Sequence, residues 1–223
     1  MVVNDESKLS LVDRLAAIPY TGAISDIMDE MGFTNQVLPH QIQAIQSGQT
    51  LAGRAMTVRG ELKASIDPDI VFIPFLKMLG DLRPGDVIVS QPNDNTVAHI
   101  GELSCETAKY RGARGAVIDG GARDTDYILK LGFPVFSRYT TPLDIMGRWR
   151  LVDYNVPIEI GTVQILPGDY VAGDRDGVLI IPQAIAEEVI TKAEEIIHTE
   201  NFVRKAILEG VHPVDAFNKY GRF

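Results

Sequence analysis

Three residues have the types and spacing to do chemistry together: Glu102, Arg123 and Asp124. Carboxylate oxygens are hard ligands suited to a cation such as Mg²⁺, which keeps several waters and shares its shell with substrate. The fork-shaped guanidinium of Arg123 can hold a carboxylate or stabilise an oxyanion as charge develops on it. Local elements must bring these residues together. A helix opens at Gly101–Glu102 and runs to Arg111, where Gly112 stops it. The run Gly115-Ala-Val-Ile-Asp119 is small, apolar and β-branched, the pattern of a buried strand, and two glycines then turn the chain into Arg123–Asp124. At about 1.5 Å per residue the helix is roughly 16 Å long. A strand of about 5–6 residues is roughly 17–20 Å long. If the two pack antiparallel, Glu102 and Arg123–Asp124 meet at one edge. The start of the helix adds unpaired amides and a positive dipole end, suited to a carboxylate or phosphate, and Gly101 lets a ligand approach those amides. A helix cap with a surface ion pair would produce the same residues, and spacing alone leaves both readings open.

Other candidates carry less. No G-x-G-x-x-G follows a strand and no G-x-x-x-x-G-K-[ST] occurs, so nucleotide binding lacks its signature. His40, His99, His198 and His212 are scattered without i,i+4 pairing, which argues against a zinc site. Cys105, the only cysteine, sits on the predicted helix and reads as a small packed residue. Ser104 has no histidine partner nearby in sequence and can act through its backbone amide. Lys63, Lys77, Lys109 and Lys130 leave a Schiff-base mechanism formally open, though nothing marks any of them as desolvated.

The remaining elements frame this stretch. Short amphipathic helices are expected at Leu9–Ala17, after a polar start, and at Thr21–Met31, with Thr21 as N-cap. The acidic residues Asp26, Asp29 and Glu30 read as a solvated face of the second. A strand is expected over Gly48–Gly60 and a helix over Asp67–Leu79, with Pro74 kinking or interrupting it. Leu82–Asp86 is a tight turn feeding a strand to Ser90, and Gln91–Thr96 is a loop. After the central stretch come a short helix over Tyr127–Leu131 and a strand over Pro134–Ser137. Arg138–Arg150 has the aromatic and arginine content of a binding loop, including the single tryptophan, Trp149. Ile158–Ile165, Tyr170–Ala172 and Gly177–Ile181 read as three strands. Pro182 opens a long helix to about Glu209, with Ile185, Val189, Ala193, Ile196 and Ile197 at helical spacing. The aromatic tail, Val211–Phe223, suggests docking on the chain's own body or on a neighbouring subunit. No repeat or linker interrupts the chain, so 1–223 reads as one domain whose helix and arm occupy about 182–223.

Composition bounds the function. The chain has 223 residues, 45% hydrophobic and 23% charged, ordinary for a soluble globular protein. A net charge of −9 without a lysine/arginine cluster argues against a general nucleic-acid binder. One cysteine excludes a disulfide framework, and no apolar run of about 18 residues or signal-like start appears, so a cytoplasmic protein with no membrane partner is expected.

At these residues the sequence resembles the RraA-like family, which includes divalent-metal-dependent 4-hydroxy-4-methyl-2-oxoglutarate/4-carboxy-4-hydroxy-2-oxoadipate aldolases. The family's aldolase motif is an acidic residue, twenty residues, then Arg-Asp, which falls here on Glu102 and Arg123–Asp124. Gly101-Glu-Leu-Ser, Arg114-Gly-Ala-Val-Ile-Asp-Gly-Gly and Pro167-Gly-Asp with Asp176-Gly-Val-Leu-Ile-Ile-Pro182 also look like the family pattern. The likeness runs from about residue 20 to the Lys219-Tyr-Gly tail. It implies an α/β fold of the swivelling β/β/α type, in homotrimers or homohexamers with sites at subunit interfaces. It also implies Mg²⁺ or Mn²⁺ held by Asp124, with Glu102 acting through water. Arg123 would contact a 2-keto acid substrate, and the amides around Leu103 and Ser104 would hold its carboxylate. Glu102 stands where aldolase members often have Asp, and its longer side chain bears on the metal's water shell. The implied activity is retro-aldol cleavage to pyruvate, with oxaloacetate decarboxylation as a side reaction through the same enolate. The other implied class is a non-catalytic regulator of an RNA-degrading enzyme.

Overall fold

The structure is a computed structural model that describes residues 9–221; the polar start at 1–8 and the end of the tail, 222–223, lie outside the described residues. Its centre is four parallel strands: β2 (Leu51–Leu62), β3 (Asp86–Gln91), β5 (Gly115–Ala122) and β6 (Val135–Thr140), side by side in the order β6-β5-β3-β2. Short β1 (Gln43–Ala44) pairs antiparallel with β6, and β10 (Tyr170–Gly173) followed by β11 (Val178–Ile181) extends the β2 side antiparallel. β7 (Trp149–Tyr154) pairs with the second half of β2, and β4 (Ala98–Ile100) with the end of β5, so the mixed sheet curls almost into a barrel. A separate hairpin joins β8 (Ile158–Ile160) to β9 (Val163–Ile165).

The apolar runs seen in the sequence follow from burial on both faces. Val87 and Val89 of β3 and Val117 of β5 point into a core closed by the β8–β9 hairpin. Ile88 of β3 and Ala116 and Ile118 of β5 point the other way. There they meet α3 (Pro68–Gly80), α4 (Glu102–Tyr110) and α5 (Thr125–Leu131). A third cluster packs α1 (Leu11–Ala16), α2 (Thr21–Glu30) and α6 (Ala186–Leu208) over β10 and β11. The chain ends in α7 (Pro213–Tyr220). No helix among the described residues is long and apolar enough to cross a membrane.

Several expectations are corrected. Tyr20, not Thr21, is at the N-cap of α2; Thr21 is the first helical residue, and its amide and hydroxyl donate to Asp174 at 2.7 and 2.9 Å. A carboxylate from a distant turn therefore replaces the local cap. α3 continues through Pro74 because Val71, Phe75, Met78 and Leu79 are buried in the core. Burying such side chains contributes about 1.5–3 kcal/mol each, which together exceeds the roughly 3 kcal/mol cost of an interior proline. Ile158–Ile165 is a two-stranded hairpin, turned at Gly161 with φ +64°, and not one strand. The long helix begins with a 3₁₀ turn, Gln183–Ile185, before α6.

Trp149 is not part of a binding loop. It opens β7, is fully buried, and its indole N–H donates to the Pro92 carbonyl at 2.8 Å. Gly60 on the facing strand leaves the space its ring occupies. Arg138 lies in β6 and is ion-paired with Asp119.

Candidate active site

The end of β5 and the start of α4 do meet. β4 runs parallel to the last residues of β5, with Ala98 opposite Gly121 and Ile100 opposite Ala122. The Arg123 amide donates to the Ile100 carbonyl at 3.0 Å, which fixes Arg123 and Asp124 beside Gly101. The approach is close: a Cβ added to Gly101 would lie 2.7 Å from Asp124 Oδ2 and 3.2 Å from Arg123 Cγ and Nε.

Asp124 has a left-handed backbone, φ 56° and ψ 32°, at the N-cap position of α5. Non-glycine residues held there cost about 1–3 kcal/mol and cluster at functional sites. Its carboxylate makes no cap bond to its own helix. It turns to α4, where Oδ2 accepts the Glu102 amide at 3.2 Å. Asp124 therefore caps the start of α4 and not the helix it precedes. Gly101 at the N-cap of α4 has no side chain to cap the helix, so beyond the Glu102 amide held by Asp124 the Leu103 and Ser104 amides at its positive end face a ligand.

Arg123 lies between two carboxylates. Its Nε is 3.4 Å from Asp124 Oδ2, and its Nη1 is ion-paired with Asp144. Asp144 is in turn fixed by accepting the Met146 amide at 2.7 Å. Around these groups opens a cavity of about 440 Å³. Gly101, Glu102, Leu103, Ser104, Arg123 and Asp124 all line it, so the structure brings together every residue singled out by the sequence motif. Phe72, Phe75, Leu76 and Leu79 of α3 form an apolar wall. A larger cleft of about 680 Å³, near Arg54, Arg83 and Arg111, opens at the starts of β2 and β3 and contains none of them.

Sequence reasoning missed two participants. Asp144 lies in the 138–150 stretch flagged for binding, but nothing in its neighbours marked it as the partner of Arg123. His99 also lines the cavity while its side chain is buried. His99 Nδ1 accepts the Gly121 amide at 3.3 Å, which leaves the ring proton on Nε2, 3.1 Å from Asp94 Oδ2. The Asp94–His99 spacing of five residues was visible, but the role depends on β4 lying against β5.

The four candidate lysines stay outside this cavity. Cys105 is fully buried on α4, and burial, with the Asp124 charge adding to it, pushes its thiol up to about 12. It is not a nucleophile at neutral pH.

Among the described residues no group of three or more His, Cys, Asp or Glu is arranged to hold a metal. The donor chemistry fits Mg²⁺ or Mn²⁺, for which one or two carboxylates suffice when water and substrate fill the shell. The Asp124 side chain is 41% exposed, and among the described residues its Oδ1 has no hydrogen-bond partner and the Glu102 carboxylate on the same rim has no ion-pair partner.

Comparison with known proteins gives a consistent picture. The RraA-like family model, described as Aldolase/RraA, matches residues 21–180. A protein of Halalkalibacterium halodurans, provisionally named 4-hydroxy-4-methyl-2-oxoglutarate aldolase, is 34% identical over 213 residues, 95% of each chain. Among solved structures, an uncharacterized Pseudomonas syringae pv. tomato protein superposes with a TM-score of 0.81 at 29% identity, over 93% of this chain and 96% of its own. Streptomyces coelicolor RraAS2, described as an unusual member of the RNase ES inhibitor RraA protein family, superposes with a TM-score of 0.78 at 27% identity. That match covers 88% of this chain and 96% of its own.

Proposed function

The chain belongs to the RraA-like family, and from that premise we propose that it is a carbon–carbon lyase of the metal-dependent pyruvate aldolase kind. Its reaction would be retro-aldol cleavage of a 4-hydroxy-2-oxo acid, such as 4-hydroxy-4-methyl-2-oxoglutarate, to pyruvate and a second carbonyl compound. The observation that carries this reading is the meeting of Arg123, Asp124 and the start of α4 at one cavity.

Asp124 would hold the divalent cation directly and Glu102 through a water. When bound, that cation supplies Lewis-acid polarisation of the 2-oxo group. The Leu103 and Ser104 amides bind the C1 carboxylate at the positive end of α4. Transfer of the C4 hydroxyl proton to an activated water lets the C3–C4 bond break, C4 leaving as a carbonyl and the electron pair passing to the C2 oxygen. Arg123, held on one side by Asp144 and on the other by Asp124, faces the charge that grows there. Protonation at C3 then gives pyruvate. Loss of CO₂ from oxaloacetate would leave the same enolate, so decarboxylation is proposed as a side activity.

The test is pyruvate release from a panel of 4-hydroxy-2-oxo acids and oxaloacetate, followed by coupled reduction of pyruvate to lactate. Release that needs Mg²⁺ or Mn²⁺ and stops with EDTA supports the lyase. The likeness to RraAS2 favours a second reading, a protein-binding regulator of ribonuclease activity without catalysis. Protein that releases no pyruvate with either metal, yet inhibits a ribonuclease, would establish that reading instead. Borohydride trapping of a pyruvate adduct would point to a lysine mechanism.

A further inference from the structure

We infer that Asp94 and His99 are positioning residues of the candidate active site: as a buried pair they pin the irregular end of β5 and so set where Arg123 and Asp124 stand against the start of α4. This rests on the lyase reading of that site and adds two residues outside its motif.

Strand β5 is out of step with both of its neighbours just before it delivers Arg123. Against β6, Ile118 lies opposite Ser137 and Gly121 opposite Tyr139, so β5 carries the extra residue. Against β4 the excess is reversed: Ala98 faces Gly121, Ile100 faces Ala122, and His99 is the residue left over. Irregularities of this kind re-aim the chain next to active sites, and their extra residue has no ladder partner. The His99 ring supplies what the ladder lacks. Its Nδ1 accepts the Gly121 amide at 3.3 Å, and Gly120 leaves room for it, since a Cβ there would lie 2.5 Å from Nδ1. Trp149 packs edge-on against the ring, with centroids 5.0 Å apart. Nε2 is 3.1 Å from Asp94 Oδ2. Asp94 is itself fixed, accepting the Thr96 and Val97 amides at 3.1 and 3.0 Å and the Thr96 hydroxyl at 2.7 Å. The ring thus ties a point two residues before Gly101 to a point three residues before Asp124, and those are the residues that meet at the site. Three residues span at most about 10 Å, so a shift at Gly121 reaches the Asp124 carboxylate. Both ring nitrogens are engaged, which leaves His99 no part in proton transfer; it acts through β5. The Asp94 and His99 side chains are each 1% exposed, so the arrangement is complete within one chain whatever a neighbouring copy adds to the cavity.

His99→Phe keeps a ring against Trp149 and removes both nitrogens. At saturating Mn²⁺ its kcat for pyruvate release should fall about 10²-fold, as misplacement by an ångström can cause. KM should change little, because the α4 amides that take the C1 carboxylate are untouched. Calorimetry should show Mn²⁺ bound about 10–100-fold more weakly, the range for residues that orient a metal ligand from behind. Amide hydrogen exchange should quicken in the segments 99–104 and 119–124 and stay as it was in α6. His99→Gln, which offers one acceptor and one donor in place of the ring nitrogens, should recover most of each loss. Should His99→Phe fail to fold, Asp94→Ser is held to the same outcomes: it frees the ring N–H from its anchor and keeps a hydroxyl for the loop amides. A folded variant with a lowered melting temperature but the parent's kcat, Mn²⁺ affinity and local exchange would overturn the inference and leave the lyase reading standing. Parent protein that binds no Mn²⁺ and releases no pyruvate would remove the lyase reading, and exchange in the two segments would still decide whether the pair positions this edge.

Discussion

The amide of Glu102 donates to Oδ2 of Asp124 at 3.2 Å, joining the first turn of α4 to the residue after β5. The bond holds the Asp124 carboxylate in front of a helix start and away from the helix it precedes. Gly101 lies beneath it, and a side chain at that position would occupy the place of the carboxylate.

Gly101→Ala should separate site from fold. The backbone at Gly101, φ −143° and ψ −173°, is extended and open to alanine. The added methyl would stand 2.7 Å from Oδ2, and the mobile end of the Asp124 side chain would swing aside. Losing glycine as N-cap costs up to about 1 kcal/mol, so Tm should fall by roughly 2–4 °C at most. Pyruvate release should drop about 10²-fold, as misplacement by an ångström can cause. Unchanged kinetics would show that the Asp124 position does not matter.

Arg123→Ala and Asp124→Ala should each reduce turnover by about 10²–10³ or more, since each removes a central electrostatic group. Circular dichroism and melting temperature should stay close to the parent, because both side chains are more than a third exposed. Titration calorimetry with Mn²⁺ should lose its signal in Asp124→Ala and keep it in Arg123→Ala. Wild-type pyruvate release from either variant would dismiss this site.

His99 predicts the acid limit of stability. Burial lowers it to about 4, with Asp94 opposing the shift, so the ring is neutral in the folded protein where the unfolded chain would be protonated. The unfolded state then binds the extra proton between about pH 6.5 and 4, and stability must fall as pH drops through that window. The loss is about 3 kcal/mol at most. Melting curves across this range should steepen relative to a His99→Gln variant, which lacks the titrating ring. Parallel pH profiles for the two proteins would assign the effect elsewhere.

Cys105 should resist alkylation. With its thiol pushed up to about 12 by burial, iodoacetamide at pH 8 should leave the folded protein unlabelled and modify it fully in denaturant. Rapid labelling of the native protein, read by mass spectrometry, would mean that α4 opens locally.

The helix from Glu102 and the buried strand from Gly115 were legible because each is a local matter of periodicity and glycine punctuation. The strand in fact extends three residues past Asp119, to Ala122, since pairing with β4 and β6 carries it on. β4 and β7 were not legible. Three residues and a stretch rich in charge and aromatics have no strand signal until neighbouring strands supply hydrogen bonds. Trp149 was misjudged for the same reason: an aromatic among arginines looks like a contact surface until Gly60 and the Pro92 carbonyl make a pocket for it.

The sequence by itself determined the residue set at the candidate site, Gly101 to Ser104 with Arg123 and Asp124, and the two local elements that carry it. Chain geometry over 25 residues limits where a helix start and a strand end can go. Tertiary structure alone decided that Asp124 leaves its own helix uncapped and that Asp144 anchors Arg123. It also decided that His99 is buried against Gly121 and that α3 faces the cavity with an apolar wall. Those relationships cross between elements far apart in the chain, where spacing carries no information and only packing fixes the neighbours.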